Sequence, residues 1–307
     1  MSGDGSSARK HSVPHPMASA VTALHDFARR HPRLFVLTGA GVSTDSGIPG
    51  YRDENGAWKR SAPMMLQEFL RSPPARQRYW ARSMVGWPLI ARAQPNAAHS
   101  ALASLEAERR VHLLVTQNVD GLHQRAGSTC VVELHGNIGR VICLECGATR
   151  SREALQRTLE KDNPAFANSG AAAPDGDADL APRALEGFRV PHCERCGGML
   201  KPDVVFFGEG VPRHRVDAAL AALREADAML VVGSSLMVYS GYRFCEQANR
   251  LGKPIAAVNR GRTRADDLFT LKVEAECGEA LAAVVDGLCG DGSTAASRSN
   301  RRAQAAR

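Results

Sequence analysis

Short apolar runs alternate along the chain with stretches whose hydrophobic residues recur every three or four positions. "RLFVLTG" (33–39), "VHLLVTQN" (111–118), "CVVELHG" (130–136), "AMLVVGSS" (228–235) and "PIAAVN" (254–259) read as strands of a parallel sheet buried on both faces. Helical spacing marks 18–30, 97–109 and 213–226, the last with Val216, Leu220 and Leu223 on one side. Strand and helix alternate, which predicts an α/β fold with a doubly wound, Rossmann-like parallel sheet. The alternation fails twice. Residues 51–95 hold Pro and Trp but no clear strand, and are expected to cap the sheet with short helices. Residues 140–202 hold "CLEC" and "CERC", with the Gly-, Ala- and Asp-rich "FANSGAAAPDGDADLAP" (166–182) between them as a surface loop.

The two C-x-x-C pairs, Cys143 with Cys146 and Cys193 with Cys196, supply four thiolates, enough to close a tetrahedral shell around zinc. A glycine follows each pair, as the tight turn of a zinc knuckle requires. With every position held by sulfur, no site is open to water or substrate, so the metal is expected to be structural. The expected organisation is an N-terminal tail (1–16), a nucleotide-binding domain (17–139 and 203–289), an inserted zinc module (140–202) and a basic tail (290–307). The other cysteines, Cys130, Cys245, Cys277 and Cys289, read as small buried hydrophobes.

Charge narrows the function classes. The formal net charge of +7 lies mostly in the ends: 290–307 carries +3 and 1–16 carries +1, leaving about +3 on the body. No specific nucleic-acid partner is expected. No apolar run is long enough to span a membrane, and the N-terminus lacks a secretory h-region. A cytoplasmic location is expected, or the mitochondrial matrix in a eukaryotic source.

The first strand runs into "GAGVSTDSGIPGYR". Gly39, Ala40 and Gly41 permit a diphosphate to approach the backbone, yet Thr44 stands where the dinucleotide fingerprint has its third glycine. No acidic residue ends a second strand at the fingerprint's distance, which disfavours hydride transfer. Asp45, Tyr51 and Arg52 lie in the loop that follows, Arg52 being suited to meet a phosphate. Read alone, the stretch fits a dinucleotide loop and a plain strand-to-helix turn equally. Four other strand ends are polar: Gln117, Asn118 and Asp120; His135; Gly233, Ser234 and Ser235; and Asn259, Arg260 and Gly261. In open α/β sheets ligands bind beyond the carboxyl ends of strands, so these groups converge on one crevice. Singly, each also suits a turn, a cap or a structural histidine. His135 gains weight from Gln117 and Asn118 beside it, and imidazole can take a proton near neutral pH.

"GAGVSTDSGIPGYR", "TQNVDGLHQRAG", "ELHGN", the paired C-x-x-C, "KPDVVFFGE", "VVGSSLMV" and "VNRG" together resemble the sirtuin family of NAD-dependent protein-lysine deacylases, over about 34–288. "RQRYWARSMVGWP", "APDGD" and the doubled Phe of "VVFFGE" are most similar to class II, the branch with a mitochondrial animal member. The resemblance implies NAD as co-substrate and one structural zinc. It places Gly39, Ala40 and Gly41 on the diphosphate with Arg52 near, Asn118 and Asp120 at the nicotinamide and ribose, and Gly233, Ser234 and Ser235 on the phosphate and adenosine side. Asn259 goes to the adenine ribose and the Cys277 backbone to the adenine edge. His135 is implied as the base that takes a proton from the ribose hydroxyls, giving nicotinamide, free lysine and O-acyl-ADP-ribose.

An acyl-lysine peptide is implied to enter as a strand between Val204, Val205, Phe206, Phe207, Gly208, Glu209 and "LMVYSG". Many sirtuins have Val-Tyr-Pro there; Ser240-Gly241 predicts a looser second wall. Tyr79 and Arg82 share the spacing of a pair that binds acyl carboxylates in another sirtuin class, and also of an ordinary exposed helix pair. Competing readings are mono-ADP-ribosyl transfer at the same site and a zinc-stabilised binding protein without catalysis.

Overall fold

The computed structural model describes residues 16–50, 53, 55, 57, 63–166, 171–172, 178–179 and 185–288. Tyr51, Arg52, Cys289, both outermost tails and most of the 166–182 stretch lie outside the described residues. Helices are α1 (Pro16–Arg30), α2 (Leu66–Arg71), α3 (Pro73–Arg92), α4 (Ala97–Ala107), α5 (Leu122–Arg125), α6 (Arg152–Asp162), α7 (Arg213–Glu225) and α8 (Tyr239–Arg250), with α9 over 277–288. The main sheet is built from β1 (Leu34–Thr38), β2 (Val111–Thr116) and β3 (Val131–Glu133), then β9 (Ala228–Val232), β10 (Ile255–Val258) and β11 (Leu271–Val273). Its order is β11-β10-β9-β1-β2-β3, and every pairing is parallel.

The period of two along each central strand divides the core. Leu34 and Val36 of β1, with Leu230 and Val232 of β9, pack beneath α1, α4 and α9 through Leu24, Phe27, Leu102, Leu105 and Leu281. Phe35, Leu37, Met229 and Val231 face the other way, against Val216, Ala219 and Leu223 of α7 and Phe244, Cys245 and Ala248 of α8. β1 is buried at all five positions, as a strand covered by helices on both faces must be.

A second sheet, β5-β4-β8, joins β4 (Gly136–Cys143) to β5 (Thr149–Ser151) and β8 (Leu200–Val204), both antiparallel. A two-residue pairing of β6 (Ala171–Ala172) with β7 (Ala178–Asp179) lies between them in sequence. The 51–95 segment does not simply cap the main sheet with short helices. It contributes the twenty-residue α3, whose Trp80, Ala81 and Met84 pack with Val141, Leu155, Leu159 and Leu200 of the module. Two prolines open α3, at positions where the missing N–H costs no intrahelical bond. Arg152 joins α6 to α3: fully buried, it donates to Gln156, to the Ser83 carbonyl and to the Ser83 hydroxyl, with its guanidinium 5.0 Å from the Trp87 ring centroid. Cys245 and Cys277 are buried, whereas Cys130 is exposed, because it precedes β3 at the open edge of the sheet.

Candidate active site

β1 and β9 are neighbours, and the strand order reverses between them. A crevice opens at such a point because the connections leave on opposite faces. The turns that follow the two strands meet backbone to backbone. Gly39 N–H donates to Val232 O at 3.1 Å and Gly41 N–H to Gly233 O at 2.8 Å. A Cβ on Gly41 would stand 2.9 Å from Gly233 Cα, and one on Gly233, whose φ is +60°, would stand 2.4 Å from Val42 N. Only glycine fits either place. Thr44 meets no such restriction: it lies in the 3-10 turn Ala40–Ser46, exposed, with its hydroxyl donating to Gly41 O at 3.0 Å.

Above the crevice is a cleft of about 770 Å³, in the upper range for small-molecule sites. Gly39, Ala40, Gly41, Thr44 and Asp45 line it from the first strand end, and Gln117, Asn118 and Asp120 from the second. His135 enters after β3; Gly233, Ser234 and Ser235 after β9; Asn259 and Arg260 after β10; and Cys277 from the start of α9. Gly261 is not in the lining; its carbonyl accepts from Lys272 Nζ at 2.9 Å. Val204 to Glu209 form one wall. Tyr79 reaches the cleft, edge-on to Phe69, while Arg82, one turn on, does not line it.

The polar groups are wired to each other. Asn118 Nδ2 donates to Ser43 Oγ (2.9 Å) and Gly39 O (3.1 Å), and Ser43 Oγ donates to Asp120 Oδ2 (2.8 Å). Gln117 Nε2 donates to Ser234 Oγ at 2.7 Å, tying the ends of β2 and β9 together. His135 Nδ1 is 2.9 Å from the Gln117 carbonyl oxygen. A carbonyl can only accept, so Nδ1 carries the proton and Nε2 keeps its lone pair. Burial drives the His135 pKa down to about 4, aided by the nearby Arg215 and Arg243 and opposed by the Gln117 bond. The ring is therefore neutral around pH 7 and able to accept a proton.

Ser240 and Gly241 are both buried, because Gly241 closes directly on the Gln117 side chain. Sequence reasoning passed over Ser43, Ser240 and Arg243 as site residues. Ser240 and Arg243 stand three apart on α8, one helical face, which is a usable signal once "VGSS" is read as a strand end.

At the end of the β5-β4-β8 sheet, the sulfur atoms of Cys143, Cys146, Cys193 and Cys196 lie within 4.8 Å of one another. Cys143 is 3.5 Å from Cys196 and Cys146 is 3.8 Å from Cys193. Four sulfurs bound tetrahedrally to zinc at about 2.3 Å would be about 3.8 Å apart. The turns are those of two knuckles, with Gly147 N–H donating to Cys143 O and Gly197 N–H to Cys193 O. The donor set fits one structural zinc ion.

Residues 39–240 match the model of the Sir2 family. The chain is 60% identical over 261 residues, 85% of its length and 89% of the relative's, to a protein of Xanthomonas campestris pv. campestris (strain 8004) named NAD-dependent protein deacetylase. A Bordetella bronchiseptica (strain ATCC BAA-588 / NCTC 13252 / RB50) protein of the same name is 59% identical, covering 87% of this chain and 98% of its own. The chain belongs to the Sir2 family. A solved structure described as Sir2 with a peptide and NAD+ superposes with a TM-score of 0.69 at 32% identity, covering 87% of this chain and 98% of that one. The Sir2 match begins at Gly39 and ends at Ser240, so it runs from one wall of the cleft to the other. Among the described residues of this Sir2 chain, no helix is long and apolar enough to cross a membrane.

Proposed function

We infer that this chain is an NAD-dependent protein-lysine deacetylase, acting on acetyl-lysine peptides or proteins. The observation that carries the reading is a buried, neutral histidine, its Nδ1–H fixed by a backbone carbonyl, lining a cleft at the strand-order reversal of a Sir2-family sheet.

NAD, when bound, supplies the glycosidic bond whose cleavage releases nicotinamide and leaves an ADP-ribosyl acceptor for the acyl group. The close-set backbones of Gly39, Ala40, Gly41 and Gly233 would hold its diphosphate. Ser234, Ser235, Asn259 and Cys277 would face its adenosine half, and Asn118 and Asp120 the nicotinamide half. Ser43 fixes the orientation of both of those side chains. His135 takes up a proton at Nε2, the ring nitrogen that carries the lone pair. The wall from Val204 to Glu209 would receive the peptide as an added strand. Residues 17–139 and 203–289 would serve as the nucleotide-binding domain and 140–202 as the zinc module.

The test is a panel of acyl-lysine peptides (acetyl, long-chain, biotinyl, lipoyl, succinyl, glutaryl) incubated with NAD and followed by mass spectrometry, for the parent protein and His135→Ala. Deacetylation with matched nicotinamide release, lost in the variant, is the expected result. Full turnover by His135→Ala, or labelling of protein by ADP-ribose without deacylation, would sink the reading.

A further inference from the structure

Ser240 lines the cleft but has none of the roles above. It is the second residue of α8, nearly buried, and its Oγ lies 2.7 Å from His135 Nε2. Helix docking makes that contact. Phe244, Cys245 and Ala248 seat α8 in the core, and Gly241 lets its first turn press on the end of β2, where a Cβ would come within 2.5 Å of Gln117 Oε1. Ser240 is thereby held against the ring that Gln117 O fixes from the other side. A proline, as many sirtuins carry at this place, has no hydroxyl to offer.

With Nδ1–H committed to Gln117 O, Nε2 is an acceptor and the serine hydroxyl donates to it. A hydroxyl can also reverse. Once Nε2 holds a proton, the same oxygen accepts from it, and that charge-assisted bond is the stronger of the two. The net effect of Ser240 is to make His135 a better base. The charged groups facing the ring act the other way: Arg215 on α7 and Arg243 on α8 both disfavour a second cation.

We propose that Ser240 is a positioning residue for His135, holding Nε2 toward the cleft and stabilising the imidazolium formed when a co-substrate hydroxyl gives up its proton. In that step the hydroxyl O–H bond breaks, its electron pair stays on oxygen and an N–H bond forms at Nε2. The serine hydrogen first rotates off the Nε2 lone pair so that the co-substrate proton can enter along it, and the new N–H is then shared between the co-substrate oxygen and Ser240 Oγ, which accepts from it; no bond to Ser240 is made or broken. The catalytic part rests on the deacetylase reading, whereas the Ser240–His135 bond itself does not.

The experiment is a pH titration of the His135 imidazole nitrogens by NMR in the ligand-free full chain, its signal assigned by loss in His135→Ala, for parent, Ser240→Ala and Ser240→Thr. Ser240→Ala is expected to lower the His135 pKa by about 0.5–1 unit. Its kcat should fall by roughly 3–10-fold with KM for NAD little changed, and Ser240→Thr should restore both. An alanine variant whose His135 pKa stays put or rises overturns the proposal, whatever its activity. If the parent protein shows the titration shift but no deacetylation, the functional reading fails and the hydrogen bond stands.

Discussion

Lys201 Nζ lies 3.0 Å from the Glu209 carboxylate, closing the cleft wall between them into a loop. The ammonium is almost wholly buried, donates to Val204 O at 2.6 Å and sits 4.9 Å from the Phe206 ring centroid, while Glu209 Oε2 accepts the Phe206 N–H at 2.8 Å. Removing one partner leaves the other partly buried without its counter-charge. Lys201→Met should lower stability by about 1–3 kcal/mol and raise the peptide KM several-fold, leaving the KM for NAD nearly unchanged. Thermal melts and steady-state kinetics with each substrate varied would check this.

The acid limb of kcat/KM should lie near pH 4, where His135 takes its proton in the free protein, and not near 6.5. Activity requires the neutral ring, so it should be flat from about pH 8 to 5.5 and decline below. A pH-rate profile, run where circular dichroism shows the fold intact, measures it.

His99 and His123 form a second buried pair, rings 4.8 Å apart, beneath the Asp120 turn. His99 Nε2 and His123 Nδ1 have no hydrogen-bond partner. Burial, then His99, pushes the His123 pKa down to about 3, and burial lowers that of His99 as well. The folded state therefore binds fewer protons than the unfolded chain, and stability should be full above about pH 6.5 and fall as pH drops toward 3. Urea midpoints should decrease steadily over that window, and less steeply in His123→Gln.

Chelating the metal, or Cys146→Ser, should abolish zinc retention and melt the β5-β4-β8 sheet, since a structural zinc site built from four thiolates contributes folding energy directly. Elemental analysis and far-ultraviolet dichroism before and after zinc return give the test.

Arg152→Ala should cost about 3–5 kcal/mol, because the guanidinium stacks on Trp87 and satisfies Ser83 and Gln156 in a site without water access. Arg152→Met should recover part of the packing but not the hydrogen bonds. Denaturant melts of the two variants separate these contributions.

The central strands were readable because burial on both faces leaves continuous apolar runs such as "LFVLT". β11 was not, since it is three residues long with Lys272 at its middle, on the sheet edge. α3 was hidden by its own prolines: Pro73 and Pro74 look like breakers but occupy the first turn, and Pro88 sits inside the helix near its end. The strand-end residues of the cleft were visible because they lie in short polar stretches directly after buried runs. Ser240 and Ser43 were not, for their meaning comes from what α8 and the 3-10 turn press them against, a property of packing and not of spacing.

His135 immediately precedes β4, and Val205 immediately follows β8; Gly136 pairs with Val204, and Val205 N–H donates to His135 O at 2.8 Å. His135 and the Val204–Glu209 wall thus sit together at one end of an antiparallel ribbon whose far end is clasped at the cysteines. Such a ribbon is a lever. Slack introduced at the clasp would shift base and peptide register together, so redox damage to a single thiol some distance away should impair turnover before it unfolds the main sheet.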